Sequence, residues 1–503
     1  MVELSADAMT ESEPLFSFDN TFAGLPDRFF TRLSPTPVKA PRLIRINHTL
    51  ARLLGLDPAL LGSSKGVNVL AGNIVPKGSD PIAMVYAGHQ FGGWAPQLGD
   101  GRAVLLGEII GTDGVRRDMQ LKGAGPTPYS RMGDGRAAIG PVLREYIVSE
   151  AMEALGVPTT RSLAVVATGE PVFRETAYPG AVLARVAESH VRVGTFQYFA
   201  ARDDIDALRQ LADYVIARHF PELASREKPY LALLDAVIGR QANLVAQWMG
   251  LGFIHGVMNT DNMSVVGETI DYGPCAFMDA FDPNKVFSSI DTLGRYSFRN
   301  QPRIAQWNLA RFAQCLLPLM NQKTDSAVAE AQAAIDAYPA RYQVAWLKVM
   351  RRKLGLAVEH DEDLDLVQDF LSLMAEVEAD FTLAFRSLGG ALDDKVDPKS
   401  NSCDILGSAS EYAVWLKRWR DRLEIEGAAS DSVVRKLNQA NPLFVPRNHL
   451  IEEAIVAAQR DNLKTFEDLI AVLSRPFDDQ PDNQRYAQPP LPEEVVHRTF
   501  CGT

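Results

Sequence analysis

The order of periodicities between residues 102 and 190 restricts this chain more than any other feature it has. RAVLLGEII and VRRDMQLKG have the period of strands, and they flank GTDG, whose Asp-Gly pair tolerates the positive φ of a tight hairpin. A glycine-rich stretch, GAGPTPYSRMGDGRAAIG, comes next. Val142, Leu143, Tyr146, Ile147, Ala151 and Leu155 then keep largely to a 3.6-residue period, which predicts a helix from about 140 to 155, ended by Gly156 and Pro158. SLAVVATG and GAVLARVAE read as two more strands. The first half is therefore strand, strand, helix, strand, strand.

Past residue 190 the pattern turns mainly helical, with segments near 205–219, 229–249, 302–320, 325–355, 361–387, 408–425 and 448–473. MSVVGETIDYG, at 263–273, reads as a small hairpin. Residues 1–80 mix a polar leader, a short helical pattern at 48–56 and loop-rich sequence. The whole predicts an α+β chain with a protein-kinase-like bilobal plan: a small mixed α/β N-lobe and a large, mainly helical C-lobe. The expected divisions are an N-terminal extension over 1–80, the N-lobe over 81–190, the C-lobe with its functional loops over 191–300, and a helical C-terminal part with a tail over 301–503.

Charge narrows the function. A net charge of -12 over 503 residues argues against a nucleic-acid footprint or a polybasic membrane anchor as the main business of the chain. An anionic ligand must be held by a local cluster of Arg and Lys. The four cysteines, Cys275, Cys315, Cys403 and Cys501, lie far apart without zinc spacing. With no leader pattern at the N-terminus and no apolar run of membrane-spanning length, the expectation is a cytoplasmic protein, taken as a monomer.

HGVMNTDN at 255–262 and IDYG at 270–273 have the shape of a kinase catalytic loop and metal-binding loop. Phosphoryl chemistry needs a cation on the phosphates, an anchor for it, and acidic or amide ligands for a divalent metal. Lys122 at a strand end, Glu145 on the following helix, Asn262 and Asp271 supply these in kinase order. An amide oxygen and a carboxylate suit Mg²⁺ or Mn²⁺. Singly, such residues are ordinary surface groups; the order of all four carries the signal. Val257 stands where a kinase has its catalytic aspartate, and Val takes no proton. Asp261 is the only carboxylate of the loop, so either it acts as a displaced base or phosphate is not transferred in the usual way.

AGHQFGGWAPQLGDGRA (87–103), QLKGAGPTPYSRMGDGRAAIGPVLREY (120–146) and FIHGVMNTDNMSVVGETIDYGPCAFMD (253–279) resemble the signatures of the selenoprotein O family of pseudokinases. The resemblance runs from about residue 20 to Thr503. It implies a kinase-like fold, ATP bound in the reverse sense, and transfer of AMP to Ser, Thr or Tyr hydroxyls of protein substrates. Gly99, Gly101 and Arg102 then match a nucleotide-binding turn, Lys122 the phosphate lysine and Glu145 its partner. Asp134 and Gly135 match nucleotide contacts, Arg185 and Arg192 phosphate-binding arginines, Asp261 the proton acceptor, and Asn262 and Asp271 the metal ligands. His255 reads as a structural brace.

Some members of that family carry selenocysteine near the C-terminus, and Cys501 looks like its sulfur counterpart; the expectation is a reversible bond to Cys275, against the plainer reading of two unrelated thiols. Two other functions stay open at this point. One is a true kinase with Asp261 as base, and the other is an inactive nucleotide-binding scaffold; use of another nucleotide such as UTP with Mn²⁺ is not decided by these residues.

Overall fold

The alternating stretches pair antiparallel. The computed structural model describes residues 15–320, 324–392, 406 and 410–499. Within these, nine strands form one sheet: β1 (Phe30–Arg32), β2 (Arg42–Ile46), β3 (Ile82–Gln90), β4 (Gly93–Gly99), β5 (Ala103–Ile110), β6 (Arg116–Lys122), β7 (Ala137–Ala138), β8 (Arg161–Phe173) and β9 (Ala177–Ala187). Their order is β1-β3-β5-β6-β9-β8-β2, with β4 on β3 and β7 on β9. The β5–β6 hairpin turns at GTDG as expected, Gly114 having φ +77°.

The period of two sends successive side chains to opposite faces. Leu163, Val182, Ala184 and Val186 pack under Leu50, Leu61 and Leu70 of the N-terminal segments. Val165, Ala181 and Leu183 pack on the other face, with Leu143 and Ile147 of helix Ile139–Ala154. The N-terminal segment is thus built into the sheet through β1 and β2. Its strand character escaped the sequence reading, as did that of β3 and β4, which came before the point where alternation was recognised.

Helix Ile139–Ala154 is buried nearly all round because helices Asn448–Gln459 and Lys464–Leu473 cover its outer side, with Tyr146 and Phe466 5.6 Å apart. Three long helical expectations divide. The 325–355 pattern is Thr324–Asp336 and Tyr338–Lys353, broken just before Pro339; 361–387 breaks at Glu378, φ +51°; and 448–473 is interrupted at Asp461, φ +61°. The hairpin expected at 263–273 does not form. Its residues instead make isolated bridges, Thr269 to Thr159 and Ser264 to Arg192, while β10 (Phe253–Ile254) pairs with β11 (Ala276–Phe277) around it. Helices Val193–Ala200 and Ser430–Ala440 were not anticipated. No helix among the described residues is long and apolar enough to cross a membrane.

Two buried cations stand out in the helical part. Arg447, fully buried, is tied to Asp279, to Asp380 at 2.7 Å and to the Ala487 carbonyl at 2.9 Å. Lys353 has no such partner among the described residues: its Nζ lies 4.2 Å from the Phe385 ring centroid, and burial, with Arg352 nearby, pulls it down from 10.5 to about 7. The unfolded chain keeps an ordinary lysine and so binds more protons between pH 7 and 10.5, which makes stability rise with pH across that window. Below pH 7 the penalty is constant and complete. We expect Lys353→Met to raise stability at pH 7 by about 1–3 kcal/mol and to flatten the rise of Tm between pH 7 and 10, as read by thermal unfolding. A steep rise retained in the variant would locate the dependence elsewhere.

Candidate functional site

A cleft of about 300 Å³ opens between the sheet and the loops at 257–273. Lys122, at the end of β6, lies on its wall and its Nζ donates to Glu145 Oε2 at 2.5 Å and to Asp271 Oδ1 at 2.6 Å. Strand, helix and loop, 149 positions apart at the extremes, therefore meet on one ammonium. Asp271 adopts φ +69°, a left-handed conformation that few non-glycine residues take outside constrained sites. Burial works to raise its carboxyl, but Lys122 and then Arg185 outweigh that and hold it below the usual carboxylate range.

Asp261 sits on a short 3-10 turn, Thr260–Asn262, and is 6% exposed. Its Oδ2 accepts from Gln90 Nε2 at 3.0 Å, while its Oδ1 has no hydrogen-bond partner. Burial pushes this carboxyl up to about 6, against the smaller downward pull of the Gln90 contact. The tip of the β3–β4 hairpin is pressed onto the turn: His89 N–H donates to Thr260 Oγ1 and Phe91 N–H to Asn259 Oδ1. Glycine is required there, because a Cβ on Gly88 would lie 2.3 Å from Asp261 Oδ1. Val257 is buried beside it.

Asn262 Nδ2 donates to the Val257 carbonyl at 3.0 Å, which orients the amide and keeps its oxygen for another partner. Among the described residues no group of three or more His, Cys, Asp or Glu is arranged to hold a metal. Asn262 and Asp271 both line the cleft, and one amide with one carboxylate fits Mg²⁺ or Mn²⁺ when phosphate oxygens complete the shell.

The glycine-rich loop forms the opposite wall. Its neck is closed by Gly125 N–H to Gly135 O at 3.1 Å, and with φ +64° Gly135 would put a Cβ 2.1 Å from the Gly125 carbonyl carbon. Gly99, Gly101 and Arg102 line the cleft where β4 turns into β5. Asp134 is at the rim, its carboxylate paired with Arg174 at 2.8 Å, whose guanidinium holds it below the usual range.

Arg185 and Arg192 do not line the cleft. Both are buried behind it, Arg185 against Glu145 at 3.3 Å and Gln120 at 2.5 Å, and Arg192 against the Asp261 carbonyl at 3.2 Å and over the Tyr86 ring. Each retains a buried nitrogen without a hydrogen-bond partner, Arg185 Nε and Arg192 Nη2. His255 braces the loop as expected: its Nε2 donates to the Ile270 carbonyl, its Nδ1 accepts from Val257 N–H, and burial lowers its pKa.

Cys275 is buried, its thiol pushed up to about 11 by burial and donating to the Tyr272 carbonyl. Cys501 lies outside the described residues. The tail nevertheless reaches this loop: Thr499 Oγ1 donates to the Pro274 carbonyl at 2.6 Å, and its backbone pairs with Phe287 and Ser289.

The sequence reading missed Gln90 and Asn259. Gln90, which meets its partner across 171 positions, and Asn259, two places before Asp261, were marked only by lying in the quoted stretches 87–103 and 253–279.

A family model described as protein adenylyltransferase SelO matches residues 15–474. The chain is similar to the protein nucleotidyltransferase YdiU of Bradyrhizobium diazoefficiens, 59% identical over 489 residues, covering 97% of this chain and 99% of the relative. It is similar also to the protein of that name in Rhizobium rhizogenes, 58% identical over 498 residues, covering 99% of each.

Proposed function

This chain belongs to the SelO family, described as protein adenylyltransferases, and from that premise we propose that it transfers AMP from ATP to Ser, Thr or Tyr hydroxyls of other proteins, using a kinase-like two-lobed frame. The observation that carries the reading is the pairing of an intact cation-and-ligand set, Lys122, Glu145, Asn262 and Asp271, with a loop whose only carboxylate, Asp261, is displaced from the usual base position. A scaffold has no evident need of that set. The conventional kinase lacks its aspartate at 257.

In this mechanism Gly99, Gly101, Arg102, Asp134 and Gly135 hold the nucleotide, and Lys122, fixed by Glu145, holds its phosphates. Asn262 and Asp271 would hold a divalent metal, which would neutralise charge on the phosphates. The acceptor oxygen attacks the α-phosphorus, the bond to the β-phosphate oxygen breaks, pyrophosphate leaves, and the hydroxyl proton passes to the Asp261 carboxylate. A carboxyl raised to about 6 and short of one partner suits that step. Arg185 and Arg192 act from behind the wall, as fixed positive charge toward the departing pyrophosphate. The reversible disulfide between Cys275 and Cys501 is likewise proposed, and non-reducing peptide mapping after oxidation tests it. The cysteine usage favours work in the reducing cytoplasm.

ATP labelled on the α- or the γ-phosphate decides the reaction. Protein-bound label from α only supports AMP transfer. Label from γ restores the kinase, and ATP binding without label leaves the scaffold. Gly88→Ala is expected to lower transfer about 10- to 100-fold, because the added methyl displaces Asp261 or the hairpin tip, with ATP affinity within about threefold of wild type. Unchanged transfer by a folded G88A enzyme would remove Asp261 from the reaction.

A further inference from the structure

A second concave surface lies beside the cleft, with a volume of about 510 Å³, where the segment 290–295 meets helix Gln301–Leu316. Two aliphatic side chains stand at its edge, Ile290 at 62% and Leu293 at 94% exposure. Its floor is Trp307, packed edge-on against His89 at 5.2 Å and flanked by Arg295 and Arg311, whose guanidinium carbons lie 4.8 and 5.0 Å from the ring centroid. Arg303 is exposed alongside.

The charges are uncompensated. Among the described residues no ion pair joins Arg295, Arg303 or Arg311 to a carboxylate, and the Nε atoms of Arg295 and Arg311 are buried without a hydrogen-bond partner. The carboxylate in the lining, Asp291, is occupied by the N–H groups of Arg295 and Tyr296, at 2.9 and 2.8 Å. On a protein of net charge -12, Arg295 and Arg311 over the Trp307 ring and Arg303 in the groove lining make a local attractor for acidic groups that the rest of the surface repels.

The surface is also continuous with the turn that carries Asp261. Asn259 Oδ1 accepts from Phe91 N–H at 3.0 Å and from Tyr296 Oη–H at 2.7 Å, and Asn259 lines the nucleotide cleft while Phe91 lines the groove. Resting on the AMP-transfer reading, we propose that this groove docks the stretch of a protein substrate flanking its acceptor hydroxyl, and that it selects stretches in which acidic side chains neighbour an aliphatic one. The acids meet Arg295 and Arg303, with Arg311, stacked on Trp307, adding positive charge, and the aliphatic group packs against Ile290 and Leu293. The Arg295 guanidinium is already stacked on Trp307, so little of its side-chain entropy is lost on docking.

The test uses fluorescein-labelled peptides with a fixed Ser, Thr or Tyr and either Glu and Leu or Lys and Gly at the flanking positions. Binding is measured by anisotropy to the full chain with no nucleotide, and transfer in parallel with α-labelled ATP. The Glu/Leu peptides are expected to bind at least about tenfold more tightly than the Lys/Gly set. Arg303→Glu and Leu293→Asp, both at exposed positions, should each erase most of that difference while leaving the melting temperature and ATP affinity in place. Equal binding of the two peptide sets to the wild type, or an unchanged preference in both variants, overturns the groove. Binding preference without any α-label on peptide would leave the docking surface standing and sink AMP transfer, so the two readings fail separately.

Discussion

Asp271→Ala lowers transfer of label from α-labelled ATP by at least about a thousandfold, which is roughly 4 kcal/mol of transition-state stabilisation. Two losses combine in that expectation. The proposed metal loses its carboxylate, and Lys122 loses one of the two anions that fix its Nζ. Glu145 still holds the lysine at 2.5 Å, so the cleft keeps its frame and the melting temperature should move little. Removing Asp271 also relieves a left-handed backbone only if the new residue tolerates it; Asp271→Gly, free of that strain, should be as inactive as Asp271→Ala. Asn262→Ala is expected to show its defect mainly as a rise in the metal concentration needed. Transfer within tenfold of wild type for both Asp271 variants would dismiss the metal assignment.

The second large effect concerns stability. Arg447→Met removes the guanidinium that bridges Asp279 and Asp380, leaving two mostly buried carboxylates side by side. Breaking such a pair from one side costs about 3–5 kcal/mol, because the orphaned charge remains desolvated. The pH dependence gives a check on the cause. Asp279 is already raised above the usual range by burial, with Arg447 opposing; without the arginine it rises further. A group raised in the folded state binds protons there that the unfolded chain has released, so the variant's deficit grows as pH increases from 5 to 8. Urea unfolding at those two pH values measures it, and a deficit that is equal at both would point to lost packing instead.

How much of this was legible follows the range of the interactions. Helix Ile139–Ala154 and the β5–β6 hairpin were readable because their signals are local: a 3.6-residue stripe in one, an Asp-Gly turn between alternating strands in the other. β3 was not, because IAMVYAGHQ is apolar through most of its length and shifts register once, beside Gly88, a pattern that periodicity does not resolve. The 263–273 stretch read as a hairpin on β-branched content, yet its backbone partners come from Thr159 and Arg192, far along the chain. In the site, residue types at kinase spacing pointed to Lys122, Glu145, Asn262 and Asp271, and folding brings them to one cleft. Gln90 and the seclusion of Arg185 and Arg192 depend on tertiary packing that no spacing records.

Arg144 gives the site a timetable. This side chain of helix Ile139–Ala154 donates to the carbonyls of Gly273 and Cys275 and to Asn448 Oδ1, the last at 2.7 Å, so one guanidinium ties the loop that bears Asp271 to helix Asn448–Gln459. On the ribosome, Asn448 follows Gly273 by 175 positions, about 10–35 s of elongation at typical rates. Throughout that interval every residue of the cleft has been made while this tie to the C-terminal helix is still missing. The contact that joins the Asp271 loop to the end of the chain is therefore among the last of the site to form.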